Sequence, residues 1–349
     1  MVSTAPPLAV VIVGAGKGTR MKSSLAKVLH PLAGRPLIVH VLELAQQLAP
    51  QWLIAVVGHQ AEVVQALCEG QGVTCVRQEP QLGTGHAVAQ TAPLLADFSG
   101  DVLVLYGDVP LLQLTTAQAL WETHRCEQAT VTVLTAYLDD PTGYGRIVRD
   151  DQGRMVRIVE EHDASAAERA IREINSGIYC LSAPFLFPAL QRIGRDNAQG
   201  EQYLTDVVAV AVQEQRTVAH LVAQDAQEII GINTRVDLAH QEAILRRRIC
   251  ERLMLTGVTI LDPASTVIDS QVTVGQDTVI APQTHILGAS VIGKECHIGP
   301  HVVLQDSICG DGVCVAPFSV VQGQTILAHT TLPPFSHLTS SEKATPAHS

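Results

Sequence analysis

Residues 10–27 hold the densest chemistry in the chain: a β-branched run ends at Val13, Gly14, Gly16 and Gly18 follow, and Lys17, Arg20 and Lys27 lie among and beyond them. Glycines let backbone approach a phosphate and aim N–H groups at its oxygens. Arginine and lysine then neutralise charge that builds during phosphate chemistry. The glycines fall as G-x-G-x-G, which is neither the dinucleotide G-x-G-x-x-G nor the Walker G-x-x-x-x-G-K-[ST]. The segment predicts a loop for a nucleoside triphosphate. The plainer alternative is a strand-to-helix turn with solvated basic residues.

Further segments have the composition of a phosphosugar site. Gln78, followed by Leu82-Gly83-Thr84-Gly85-His86, sets an amide and a glycine–hydroxyl pair where they suit the polar edge of a base. Tyr106-Gly107-Asp108-Val109-Pro110 ends an apolar run with a single carboxylate, a usual position for a magnesium ligand. Asp140 through Arg146 reads by composition as a turn that could offer backbone groups to a sugar. Glu160, Asn175 and Asn233 carry no signal of their own.

These residues need a scaffold. Apolar runs at 8–13, 52–57 and 101–106 are continuous and rich in Val, Ile and Leu, which predicts buried parallel strands. Helical stretches at 36–48 and 85–96 supply the crossovers. The expected fold is α/β, a Rossmann-like domain over residues 1–232 with a largely parallel sheet and ligands at the carboxyl ends of its strands. A linker helix is expected over 233–256, capped by Asn233 or Thr234 and stopped at Gly257. Aliphatic residues then recur every six positions at Ile268, Val274, Ile280, Ile286, Ile292, Ile298 and Leu304, and resume one residue out of register at Cys309, Val315, Val321 and Leu327. Thr278, Thr284, Ser290 and Cys296 each stand four residues after an aliphatic one. A period of six predicts a short left-handed β-helix over 257–332. Residues 333–349, opening with Pro333-Pro334, are expected to form a disordered tail.

With 349 residues, two domains are the prior. A net charge of −11 argues against a nucleic-acid surface, so phosphate binding must be local and helped by a divalent cation. No apolar run approaches the roughly 18 residues that span a bilayer, and no basic segment precedes Leu8; a cytoplasmic protein with no membrane partner is expected. The eight cysteines include no C-x-x-C pair and suit reduced thiols.

Over roughly residues 8–332 the chain resembles the bifunctional bacterial N-acetylglucosamine-1-phosphate uridylyltransferase/glucosamine-1-phosphate acetyltransferase family. The matching segments are Gly16 through Met21, Lys27 through His30, Gln81 through His86, Leu105 through Pro110, Asp139 through Ile147, Glu173-Ile174-Asn175 and Asn197 through Glu201. The resemblance implies formation of UDP-N-acetylglucosamine and pyrophosphate from UTP and N-acetylglucosamine-1-phosphate, with Mg2+ as cofactor. It implies that Val13, Gly14, Ala15 and Gly16 line the uridine and phosphates, and that Gln78, Gly83 and Thr84 read the uracil. Arg20 and Lys27 would bind the triphosphate and stabilise its charge. Tyr106, Gly107, Gly145, Glu160, Asn175, Thr205 and Asn233 would line the sugar side, with Asp108 and Asn233 holding the metal. A homotrimer built on the β-helix is also implied.

The chain departs from the family at several points. Gly14 stands where the family usually has alanine, Ala26 where it has proline, and Glu161-His162-Asp163 alters the neighbours of Glu160. Loss of the proline is expected to loosen the loop that positions Lys27. The family's acetyl-transfer residues lie in further coils, and His337 stands where an arginine contact would begin, so acetyltransferase activity is expected to be absent. Two other readings stay open: transfer to a different sugar-1-phosphate or from a different nucleotide, and a non-catalytic sensor of nucleotide sugars.

Overall fold

A computed structural model describes residues 6–339. By their contacts they form two compact units, one running through His30 and from Pro36 to Asp237, the other comprising Pro31–Arg35 and the residues from Leu238 on. In the first unit, β1 (Leu8–Val13), α1 (Leu37–Gln47), β2 (Trp52–Val57), α2 (Ala61–Glu69), β3 (Thr74–Arg77), α3 (Thr84–Ala89), β4 (Asp101–Tyr106) and α4 (Leu114–Cys126) alternate. Then come β5 (Val131–Tyr137), β6 (Arg146–Arg149), β7 (Met155–Val159), α5 (Ala166–Arg169), β8 (Glu173–Ser182), α6 (Ala183–Leu190), α7 (Asp206–Gln213) and β9 (Val218–Val222). The main path of the nine-stranded sheet runs β9-β5-β8-β4-β1-β2-β3, with β6 and β7 attached beside β8.

The continuous apolar strands have a simple cause. Successive side chains point to opposite faces, and both faces of this sheet are covered. Val10 and Ile12 pack with α1, α2 and α4, while Ala9 and Val11 pack with α3, α6 and α7. Strands β1, β2, β3 and β4 pair in parallel, so Val13, Val57 and Tyr106 end at one edge, where the glycine loop and Asp108 emerge. Strand β8 enters antiparallel between β4 and β5. Its register against β5 holds through Asn175, which pairs with Thr135, and breaks before Tyr179, a bulge over residues 176–178 that follows Asn175 directly.

Helix α8 (Arg235–Leu255) follows. Thr234, rather than Asn233, caps it: the Thr234 hydroxyl accepts the Asp237 N–H at 3.1 Å, and Asp237 Oδ2 accepts the N–H of Thr234 at 2.8 Å. In the second unit, two-residue and three-residue strands stack into three parallel sheets around a core of Ile268, Ile280, Ile286, Ile292, Ile298, Leu304 and their successors. The ladder steps from Ile286↔Leu304 to Ile292↔Cys309, one residue shorter, which accounts for the slip in the repeat. Buried Thr278, Thr284 and Ser290, at positions where other hexads place Val272, Val302 and Val313, bond to the next coil; Thr278 Oγ1 donates to Gly293 O at 2.8 Å and accepts Cys296 N–H at 3.0 Å.

The coils continue beyond the expected end at 332. His337–Thr339 pairs with Val320–Gln322, and Phe335 N–H donates to Pro317 O at 3.1 Å. Pro334 takes the corner that Pro282, Pro300 and Pro317 take in the preceding coils, where the missing N–H of proline is no loss. The rest of the expected tail, 340–349, lies outside the described residues. Among the described residues all eight cysteines are free, and no helix is long and apolar enough to cross a membrane.

Candidate active site

The loop after β1 is anchored at Gly14 and Ala15 and open at Gly16. Gly14 N–H donates to Val56 O at 2.9 Å, and Ala15 O accepts both the His59 N–H at 3.1 Å and the Gln81 side-chain amide at 2.8 Å. A Cβ on Gly16 would meet nothing, so this turn borders open space. Gly18 is needed for another reason: it sits at φ +61°, and its Cβ would lie 2.6 Å from Lys27 Cβ. The loop turns back onto Lys27 at that point.

Lys27 opens a single turn of 3-10 helix, Lys27–Leu29. Ala26 before it has φ −56°, close to what proline enforces. Its amide donates to Gln60 Oε1 at 2.7 Å, a bond proline could not make, and Gln60 Nε2 donates to Ser24 O at 3.0 Å. The expected loosening of this loop is offset by that tether.

The four charged and amide groups singled out in the sequence converge. Lys27 Nζ donates to Asp108 Oδ2 and, at 3.1 Å, to Asn233 Oδ1; Arg20 Nη2 donates to the same Asn233 oxygen at 2.8 Å. Ile232 N–H to Asp108 O at 2.9 Å joins the Asn233 segment to the end of β4. Behind it, Glu228 accepts from Gln113 N–H (3.2 Å), Gln113 Nε2 (2.6 Å) and Thr116 Oγ1 (2.6 Å), fixing the segment to the start of α4. A carboxylate and an amide oxygen facing one point form a hard-oxygen donor pair that fits Mg2+, which keeps waters for its remaining positions. Among the described residues no cluster of three or more His, Cys, Asp or Glu could hold a metal.

A cleft of about 890 Å3 runs from this cluster along the loop. Of the residues named from the sequence, Val13, Gly14, Ala15, Gly16, Lys27, Gln78, Gly83, Thr84, Tyr106 and Asp108 line it. Its far wall is built on Gln78, whose Nε2 donates to Gly83 O at 2.9 Å. Gly83 has φ +112°, and a Cβ there would be 2.5 Å from Gln202 O. Gln202 grips this wall through its backbone, its N–H on Leu82 O and its carbonyl on Gly85 N–H, each at 2.8 Å.

Gly145, Glu160, Asn175 and Thr205 form a second group outside that lining. Asn175 N–H donates to Gly145 O at 2.8 Å, and Thr205 Oγ1 donates to Glu160 Oε1 at 3.2 Å. A Cβ on Gly145 would contact Ile158, Glu160 and Asn175. Burial raises the Glu160 carboxyl above its ordinary range, and the Thr205 hydroxyl eases this only in part. Tyr106 stands between the two groups. Burial and the nearby Glu160 charge push its phenol far up, against the opposing pull of the Thr84 side chain, so it remains a neutral hydroxyl. Gly107 lies beneath, its N–H on Val13 O at 3.0 Å.

Sequence reasoning missed the supports of this second group. Arg146 is buried at 1% exposure. Its guanidinium donates to Tyr144 O, to Glu161 Oε2 at 2.8 Å and to Arg169 O at 3.4 Å. Glu161 Oε2 also accepts the Gly143 N–H at 3.3 Å. The altered residue after Glu160 thus ties the 143–146 turn to β7. Gln60, Gln202 and Glu228 were missed too; none has a periodic or spacing signature.

Comparison with known proteins adds the following. Residues 10–204 match the family of MobA-like NTP transferase domains, and residues 271–305 match the bacterial transferase hexapeptide (six repeats). The chain is 49% identical over 332 residues to the bifunctional protein GlmU of Pelobacter propionicus, covering 95% of this chain and 72% of that one. It is 49% identical over 328 residues to the GlmU of an Exiguobacterium species, covering 94% and 72%. Among solved structures, a putative glucose-1-phosphate thymidylyltransferase from Bacillus anthracis, in complex with a sucrose, superposes with a TM-score of 0.55 at 20% identity, covering 68% of this chain and 94% of that one. That likeness is one of fold.

Proposed function

Because the chain belongs to the GlmU family and carries its nucleotidyltransferase domain, we propose that it transfers uridylyl from UTP to N-acetylglucosamine-1-phosphate, releasing pyrophosphate. The observation that carries the reading is the meeting of Arg20, Lys27, Asp108 and Asn233 at one end of a cleft floored by open glycine backbone. The sugar-1-phosphate oxygen is already an anionic nucleophile, so no general base is required. It attacks the α-phosphorus of UTP, the bond to the β-phosphate oxygen breaks, and pyrophosphate leaves with that electron pair.

Charge repulsion and alignment make up most of such a barrier. Arg20 and Lys27 meet the triphosphate as positive charges, and the open backbone at Gly16 lets it lie close. Asp108 and Asn233 would hold Mg2+, which when bound supplies further neutralisation of the phosphates. Gln78, Gly83 and Thr84 would present polar groups to the base. Glu160, Asn175 and the Gly145 backbone would hold the sugar, with Thr205 keeping Glu160 in place.

The test is pyrophosphate release with Mg2+, N-acetylglucosamine-1-phosphate and each of the four ribonucleoside triphosphates. UTP should be strongly preferred, and Asp108→Asn should lower turnover by about 10²–10³ with the fold intact, the usual size of one lost transition-state charge contact. A folded Asp108→Asn protein with parental turnover removes the metal assignment. The reading includes a homotrimer through the hexapeptide coils, tested by sedimentation equilibrium; a monomer at micromolar concentration contradicts it.

A further inference from the structure

We propose that Lys27 holds the divalent-cation position closed until the triphosphate arrives. The inference rests on the uridylyl-transfer reading above. The Lys27 ammonium donates to Asp108 Oδ2 and to Asn233 Oδ1, the two oxygens that fit the cation, while Arg20 donates to the same Asn233 oxygen. The Lys27 and Asp108 side chains are only 15% and 16% exposed, so their attraction is poorly screened. An ammonium has donors and no lone pair, and a hard divalent cation takes oxygen donors. The two cations therefore exclude each other from this oxygen pair.

Lys27 has one way out. Its stem is pinned at the base against Gly18, where an added Cβ would sit 2.6 Å from Lys27 Cβ. The head remains free to turn about the outer torsions toward the cleft that Lys27 lines together with the glycine loop. Turning there is unfavourable unless an anion waits in the cleft, because it leaves Asp108 uncompensated in a half-dry site. A triphosphate supplies that anion. Cation and nucleotide are thereby coupled: each makes room for the other, and neither binds well alone.

The test uses Mn2+ as the probe, titrated without nucleotide or sugar phosphate and followed by the electron paramagnetic resonance of the free ion. The proteins are the parent, Lys27→Met, Lys27→Gln and the double variant Lys27→Met/Asp108→Asn, each checked for an unchanged melting profile. Both single variants should bind Mn2+ at least tenfold more tightly than the parent, although each loses turnover, and the double variant should lose that gain. Equal or weaker Mn2+ binding by both single variants overturns the inference. A gain that survives Asp108→Asn also overturns it, and that outcome counts against the metal assignment of the uridylyl-transfer reading as well.

Discussion

Glu161→Ala removes the counter-charge of a buried arginine. The Arg146 side chain is 2% exposed and that of Glu161 24%. Breaking a fully buried ion pair from one side costs about 3–5 kcal/mol. Water reaches Glu161, which lowers the expected cost to roughly 2–3 kcal/mol, because exposed pairs are worth less. Arg146 keeps Tyr144 O and Arg169 O, but the Gly143 N–H loses its acceptor. In a unit of this size 1 kcal/mol moves the melting temperature by about 2–4 °C, so a drop of roughly 5–10 °C is expected. The kinetic effect should be local. Gly145 and Glu160 sit beside the broken tie, while Gln78 bonds Gly83, Thr84 bonds the Leu204 N–H, and Gln202 holds Leu82 and Gly85 on either side. KM for the sugar-1-phosphate should rise about tenfold, with KM for UTP within about twofold of the parent. The assay is calorimetry together with initial-rate pyrophosphate release at saturating UTP, then at saturating sugar-1-phosphate. An unchanged melting temperature, or a rise confined to KM for UTP, refutes the reasoning.

Glu228→Ala strips three donors of their acceptor and should destabilise by roughly 2–4 kcal/mol, by the cost of buried unsatisfied groups; denaturant unfolding measures this, and the Mg2+ concentration for half-maximal rate should rise because Asn233 is less firmly presented. Gly83→Ala combines φ +112° with a Cβ 2.5 Å from Gln202 O, so KM for UTP should rise by about tenfold or more while the melting temperature falls, as expected for strain at a left-handed position. Glu160→Gln should raise the melting temperature at pH 7 while raising KM for the sugar-1-phosphate. Burial lifts the folded-state pKa of Glu160 above its ordinary 4.5, so the folded protein takes up this proton more readily than the unfolded chain. The penalty for ionising it is complete above the raised pKa and fades as pH falls toward the ordinary value. The melting-temperature advantage of the Glu160→Gln variant should therefore shrink over that window.

Strands β1, β2 and β4 were legible from the sequence because burial on both faces demands unbroken apolar runs, and the coils because each hexad turns one aliphatic residue inward. The linker helix was legible from its capping and stop residues. The antiparallel entry of β8 was not, since its bulge between Asn175 and Tyr179 depends on pairing with distant strands and leaves no local period. Pro333-Pro334 read as a stop because its corner geometry shows only against the earlier coils. The site was legible in its parts rather than in its assembly. Lys27 lies 81 positions from Asp108 and 206 from Asn233, and Glu160, Asn175 and Thr205 were named by resemblance rather than by any pattern. Arg146 shows why: a charged residue reads as surface unless its counter-charge is known, and Glu161 becomes that partner only once β6 and β7 pair.

The central claim is tested most directly by kcat/KM for pyrophosphate release from UTP across N-acetylglucosamine-1-phosphate, N-acetylgalactosamine-1-phosphate, glucose-1-phosphate and glucosamine-1-phosphate. N-acetylglucosamine-1-phosphate should exceed each of the others by about tenfold or more, as a site built to engage the acetamido group and ring hydroxyls requires. A higher value for another sugar, or no pyrophosphate from any of them by a folded protein, contradicts the account.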